Sequence, residues 1–149
     1  MEIKPICPFK LRALAPLAKE FYASSKLLRT FDIEKFVTLW RTLIQSDQGV
    51  IFAAFDGHDI VGAIGGTKYP EAYCQDFIAQ EFFWFVSRDA RGTAGIRLYR
   101  AFEHWSREQG CAEIRMGHLT DLMPEKVAAF YRRIGFVPVE TNYAKRLAS

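Results

Sequence analysis

The stretch Phe82-Phe83-Trp84-Phe85-Val86-Ser87-Arg88-Asp89-Ala90-Arg91-Gly92-Thr93-Ala94-Gly95-Ile96 decides the fold. Its first five residues are apolar at every position, the pattern of a strand buried on both faces at the centre of a sheet with helices on each side. The middle is polar and contains glycine, as a turn requires. From Ala94 a helical pattern runs to Gln109, with Leu98, Ala101, Phe102 and Trp105 on one face and Gly110 as its stop. The first N–H groups of a helix lack partners within it and carry partial positive charge, so a turn of small residues leading into such a start makes an anion site. Arg88, Arg91, Arg97 and Arg100 surround that turn with positive charge. Taken alone, the same pattern also describes an ordinary turn with solvated arginines.

Working outward toward the C-terminus, residues 112–117 read as a strand and 125–134 as a helix ended by Gly135. Residues 137–139 and 142–147 read as two last strands. Toward the N-terminus, residues 60–68 and 50–55 are apolar runs joined by Asp56-Gly57-His58-Asp59, a β-hairpin signal. Gly62, Gly65 and Gly66 inside the second run imply a bulge or a backbone approached closely by something else. Residues 69–76, with Pro70, form a loop. Asp32 is a good N-cap for a helix whose apolar stripe is Ile33, Phe36, Trp40, Leu43 and Ile44. Before it, Leu14, Leu17, Ala18 and Phe21 recur at helical spacing, with Pro16 in the first turn. Residues 3–7 open the chain as a strand. The order is β-α-α-β-β-β-α-β-α-β-β, a mixed α/β sheet in a single domain over residues 1–149, with no linker, repeat or low-complexity segment.

Composition narrows the function classes. The 149 residues, 50% hydrophobic and 15% aromatic, suffice for one domain with a real core. A net charge of +3 suits an anionic ligand but falls short of the dense basic patches of nucleic-acid binders. No apolar run reaches the ~18 residues of a membrane span, and Met1-Glu2-Ile3-Lys4-Pro5 lacks the regions of a secretory signal. Cys7, Cys74 and Cys111 form no CxxC pair, so reduced thiols and a cytoplasmic location are expected. His58, His104 and His118 show no metal-ligand spacing, and no metal is assigned.

The quoted stretch, read as strand, Val-x-x-x-x-Arg-Gly-x-x-Gly and amphipathic helix, resembles the cofactor motif of the GNAT superfamily of N-acetyltransferases. One strand further on, Ala128-Ala129-Phe130-Tyr131-Arg132-Arg133-Ile134-Gly135-Phe136 resembles the family's tyrosine-bearing segment. The resemblance implies a GNAT-like fold in which two parallel strands, here 82–86 and 112–117, splay to admit the pantetheine arm of acetyl-CoA. Main-chain groups of Trp84, Phe85 and Val86 are then expected to pair with the pantetheine amides. Arg91, Gly92, Thr93, Ala94, Gly95 and Ile96 are expected to hold the pyrophosphate. The pattern departs from the family's in placing Ala94 and Ile96 at the last two key positions, which implies a turn of different shape. Pro124 stands where many members carry an asparagine, which implies one side-chain contact fewer.

By the same resemblance Tyr131 is the general acid for the leaving thiolate and Glu81 the general base for the attacking primary amine. Each has a plainer alternative: a core tyrosine beside Gly135-Phe136, and a solvated strand-end carboxylate. His118 is the reserve base, nearer its working pKa, and a loop histidine is otherwise structural or exposed. The aromatic run 82–85 is either core packing or, on one face, a border of the acyl pocket. A CoA-binding or regulatory domain without turnover stands as the alternative to the enzyme, and a small basic nucleic-acid-binding domain as a third class. The acceptor is a small-molecule or peptide amine, and a homodimer is the expected assembly.

Overall fold

The computed structural model describes residues 1–24, 30–90, 92–118 and 123–147. The chain comprises two compact units, Met1–Gly117 and His118–Ser149.

The first unit holds strands β1 (Glu2–Pro5), β2 (Gly49–Asp56), β3 (Asp59–Pro70), β4 (Phe77–Val86) and β5 (Glu113–Arg115), with helices α1 (Ala15–Ser24), α2 (Ile33–Gln45) and α3 (Ala94–Glu108). Short 3₁₀ turns at Leu11–Leu14 and Arg88–Ala90 precede α1 and α3. The strands lie in sequence order; β1 to β4 are antiparallel and β5 runs parallel to β4. A helical crossover, α3, is what a parallel neighbour requires.

Local chemistry accounts for most of these elements. Asp32 Oδ1 accepts from the N–H groups of Glu34 at 3.0 Å and Lys35 at 3.2 Å, so the expected N-cap starts α2. Pro16 is the second residue of α1, where its missing N–H costs little. Gly57 and His58 form the two-residue hairpin turn between paired Asp56 and Asp59. β3 runs through Tyr69 and Pro70, paired with Ile78 and Phe77, so the loop that the sequence placed at 69–76 begins only at Glu71.

The sheet is covered on both faces. One face carries Val50, Ala54, Ile64 and Ala79 packed with Leu98 and Phe102 of α3, with Trp84, Val86, Trp105 and Ile114 around them. Each such fully buried large side chain stabilises the fold by roughly 1.5–3 kcal/mol. On the other face Trp40 of α2 meets the rings of Phe82 and Phe83, and Phe21 of α1 meets Phe85.

β3 and β4 show the bulge that the strand glycines anticipated. Gly65 pairs with Phe83 and Gly66 with Glu81, leaving Phe82 as the extra residue. The glycines are there for space. A Cβ on Gly65 would lie 2.4 Å from the Phe83 ring, and one on Gly66 would lie 2.5 Å from the Phe102 ring and 2.6 Å from the Gln80 carbonyl oxygen.

Two expectations are corrected. The apolar run 82–86 is not buried on both faces along its length: Phe82 is 58% exposed. The bulge pushes it out of the pleat, and β5 pairs with a different part of β4. The last two strands, expected at 137–139 and 142–147, do not form among the described residues. Val137, Val139, Tyr143 and Leu147 stay 65–93% exposed. Without a partner strand or a covered face, nothing offsets the entropy of ordering an extended segment.

The second unit is built on α4 (Pro124–Arg133). Pro124 is its first residue, Met123 precedes it at φ 48°, and Gly135 at φ 100° follows its end, as the sequence implied.

Candidate active site

β4 is ten residues long, yet β5 pairs with it only from Ile78 opposite Glu113 to Gln80 opposite Arg115. Beyond that pair β5 ends and the ladder stops, which makes this point the fork of the sheet. The resemblance placed the parallel pair at 82–86 and 112–117; the structure puts the pairing in the first half of β4 and the parting in the second.

At the fork, side chains replace main-chain rungs. The Gln80 amide nitrogen donates to the Glu81 carbonyl at 3.0 Å and to the Arg115 carbonyl at 3.3 Å. The Gly117 N–H donates to Glu81 Oε2 at 3.0 Å. Arg115 is held in turn by Glu71 at 2.7 Å and Glu113 at 3.0 Å, which fixes the end of β5.

Glu81 therefore sits where the strands divide. Burial of its carboxyl, opposed by the single hydrogen bond from Gly117, raises its pKa from 4.5 to about 7. A carboxylate so placed can take a proton at neutral pH, which a solvated strand-end glutamate with a pKa near 4 does poorly.

At the other end of β4 the chain turns into α3. Gly92 has φ 146°, a conformation that suits glycine. Thr93 occupies the N-cap without a side-chain hydrogen bond to the helix. Ala94, Gly95 and Ile96 form the first turn, whose N–H groups are the ones an α-helix leaves without intrahelical acceptors. A Cβ on Gly95 would meet the Trp84 ring at 3.5 Å, an ordinary van der Waals contact, so packing alone does not demand glycine there. Arg88 and Arg100 are exposed, while Arg97 donates to the Met1 carbonyl at 3.1 Å. Arg91 lies outside the described residues.

One tie to this turn was not legible in the sequence. Glu20 Oε1, on α1, accepts from the Ser87 hydroxyl and from the Arg88 N–H, both at 3.1 Å. Sixty-seven residues separate Glu20 from Ser87, and no local pattern links them. Gln80 was also passed over, because nothing in the sequence marks where β5 stops pairing.

Trp84, Phe85 and Val86 follow the fork on β4. Trp84 and Val86 lie on the α3 face, and Phe85 is buried toward α1.

In the second unit Tyr131 is buried on α4, its ring 5.3 Å from that of Phe136 and 6.4 Å from that of His118. His118 is exposed. The structure thus brings the candidate acid and the reserve base side by side.

Among the described residues no group of three His, Cys, Asp or Glu could hold a metal ion, and no helix is long and apolar enough to cross a membrane.

A parted strand pair beside a strand–turn–helix unit is the framework that the sequence resemblance implied. The family model described as "Acetyltransferase (GNAT) family" matches residues 12–136. The chain belongs to the GNAT acetyltransferase family. It is thus an enzyme of acyl transfer, with the mixed α/β fold of that family.

Solved GNAT-fold structures resemble it over nearly their full length. A ribosomal-protein-alanine N-acetyltransferase from Brucella melitensis biovar Abortus 2308 is 17% identical, with a TM-score of 0.74 over 99% of this chain and 100% of that one. An aminoglycoside acetyltransferase, HMB0005, from an uncultured soil metagenomic sample is 16% identical, with a TM-score of 0.78 over 99% and 98%. AAC(6')-Iy, solved with a bisubstrate analogue of coenzyme A and acetylneamine, is 15% identical, with a TM-score of 0.75 over 99% and 98%. At these identities the likeness carries the fold alone. No curated protein matches the sequence.

Proposed function

We propose that this GNAT member transfers the acetyl group of acetyl-CoA to a primary amine in a ternary complex, with its 149 residues acting as one acyltransferase domain. The carrying observation is the fork after Gln80 and Arg115, with the desolvated Glu81 carboxyl at its base.

The residues present fit a coenzyme A donor. Main-chain groups of Trp84, Phe85 and Val86, past the point where β5 leaves β4, would hold the pantetheine amides. The Gly92 turn and the Thr93, Ala94, Gly95 and Ile96 start of α3 offer backbone N–H groups and the helix's partial positive charge to the pyrophosphate; Arg91 is assigned to the same cradle from the sequence. When bound, acetyl-CoA supplies an acyl group activated as a thioester.

The protein's own groups then move protons. An alkylammonium near pKa ~10.4 must be neutral to attack, and Glu81 accepts that proton at its carboxylate, directly or through a water. A β4 main-chain N–H near Phe85 stabilises the developing oxyanion. The Tyr131 hydroxyl delivers a proton to the departing sulfur. His118, beside Tyr131, is the reserve base. The acceptor class extends from peptide to small-molecule amines, since structures similar in fold include a ribosomal-protein-alanine N-acetyltransferase and an aminoglycoside acetyltransferase.

The test is thiol release from acetyl-CoA across a panel of amines with Tyr131→Phe beside the wild type. The variant is expected to slow release at least tenfold while binding coenzyme A as before. Unchanged turnover removes Tyr131 from the mechanism. Acetyl-CoA binding without thiol release over the whole panel points to a binding domain instead of an enzyme.

A further inference from the structure

We infer that Glu20 is a positioning residue that couples the docking of α1 to the shape of the donor turn, so that coenzyme A bound at the turn holds α1 in place. This rests on the coenzyme A reading above and extends it to a helix that reading does not use.

The tie is one oxygen shared by two donors. Glu20 Oε1 accepts from the Ser87 hydroxyl and from the Arg88 N–H, both at 3.1 Å. Ser87 is held at its main chain as well. Its N–H donates to the Val61 carbonyl at 2.9 Å, continuing the β3–β4 pairing past Val86, and its carbonyl accepts from the Ala90 N–H at 3.1 Å, closing the 3₁₀ turn. The Glu20 bonds reach this corner from a different element. Next along α1, the Phe21 ring lies 5.3 Å from that of Phe85. α1 thus docks on the end of β4 through two adjacent side chains, one polar and one aromatic.

The residue type is informative. A carboxylate makes hydrogen bonds roughly twice as strong as a neutral acceptor does, while its negative charge opposes an incoming pyrophosphate. A glutamate here therefore favours a firm tie over a more attractive turn. α1 depends on such a tie, because Leu17 is the one buried residue among its ten. A segment with so little buried apolar surface opens at a free energy well below that of global unfolding. When α1 opens, Ser87 and Arg88 lose the Glu20 oxygen and the turn loses its outer support. A ligand that prefers the supported turn opposes that opening, and at 100 times its Kd it slows the opening by up to about 100-fold. By the same linkage, a docked α1 favours the donor to an equal degree.

Hydrogen exchange over residues 15–24, read by mass spectrometry, tests the coupling in the wild type, Glu20→Ala and Glu20→Gln. Each protein is measured without ligand and with coenzyme A at about 100 times the Kd that calorimetry gives for it. The wild type is expected to exchange at least about tenfold more slowly with coenzyme A bound. In Glu20→Ala that ratio should fall below about twofold, and Glu20→Gln, which keeps the accepting oxygen, should return it to about fivefold or more. A merely structural role would speed α1 exchange in Glu20→Ala with and without ligand alike and leave the ratio at its wild-type value, which overturns the inference. So does a wild type that binds coenzyme A with no slowing of α1, a result that needs no variant. If Glu20→Ala does not fold, Ser87→Ala, which removes one of the two donors from the other side of the tie, carries the comparison with a ratio expected about threefold below the wild type's. A wild type that does not bind coenzyme A in the calorimeter overturns the donor reading and this inference together.

Discussion

Replacing Glu81 by glutamine keeps an oxygen to accept the Gly117 N–H and removes the ionisation, so the variant isolates the electrostatics of one carboxyl. In the folded protein that carboxyl has its pKa raised from 4.5 to about 7, chiefly by burial. The folded state thus holds its proton more tightly than the unfolded chain does. Between pH 4.5 and pH 7 the unfolded state binds fewer protons, so stability falls as pH rises through that window and the loss is complete above 7. A shift of this size, at ~1.4 kcal/mol per unit, corresponds to about 3 kcal/mol. The wild type should therefore lose about 3 kcal/mol between pH 4 and pH 8 through this group, and Glu81→Gln should not. At pH 8 the variant is the more stable protein, by about 6–12 °C in melting temperature for a chain of this size; at pH 4 the two should melt together. Denaturant midpoints at both values, for both proteins, measure the difference. Activity runs the other way. The wild-type rate should rise as pH climbs through about 7, while Glu81→Gln, more stable but without the proposed base, should lose about 10²- to 10⁴-fold in kcat. If both proteins show the same change of stability with pH, the carboxyl is not desolvated at the fork, and the assignment of Glu81 as a base tuned by burial fails with it.

Other substitutions test other parts of the framework. Gly66→Ala places a methyl group 2.5 Å from the Phe102 ring and 2.6 Å from the Gln80 carbonyl oxygen; it should destabilise the fold by about 2–3 kcal/mol, read as a lowered denaturant midpoint, and a midpoint like the wild type's would show that the bulge has slack. Glu20→Ala removes the acceptor shared by the Ser87 hydroxyl and the Arg88 N–H and should weaken coenzyme A binding about tenfold by calorimetry, with Glu20→Gln retaining most of the affinity. Equal affinities in all three would mean that the turn keeps its shape without α1.

What could be read in the chain and what could not divide along sequence separation. Asp32, the Asp56–Asp59 hairpin, Gly110 and Gly135 act on residues within a turn of themselves, and each starts or stops an element where its chemistry says it should. The strand–turn–helix unit from Phe82 to Ile96 is local in the same sense. The segments 137–139 and 142–147 have apolar residues spaced like strands, but a strand exists only against a partner, and composition cannot supply one. Gln80 and Glu20 belong to a third kind: their partners are 35 and 67 residues away, so their roles emerge only once the sheet is assembled.

The bulge decides which face of the sheet Glu81 joins. With strict alternation Glu81 would share a face with Phe83 and Phe85, which meet α1 and α2. The extra residue at Phe82 shifts the phase by one. Glu81 then stands opposite Gly66 while Trp84 stands opposite Ile64, and because Gly66 and Ile64 are two apart on β3 they point the same way. Glu81 therefore falls in step with Ala79, Trp84 and Val86, on the face that α3 covers. The cost is an exposed phenylalanine and a pair of glycines that tolerate no side chain. The result is a carboxyl drawn out of water at the point where β4 loses β5, which is the condition that lifts its pKa toward neutrality. A one-residue irregularity in a strand, invisible in a hydropathy pattern, sets both the orientation and the proton affinity of the residue proposed here as the base.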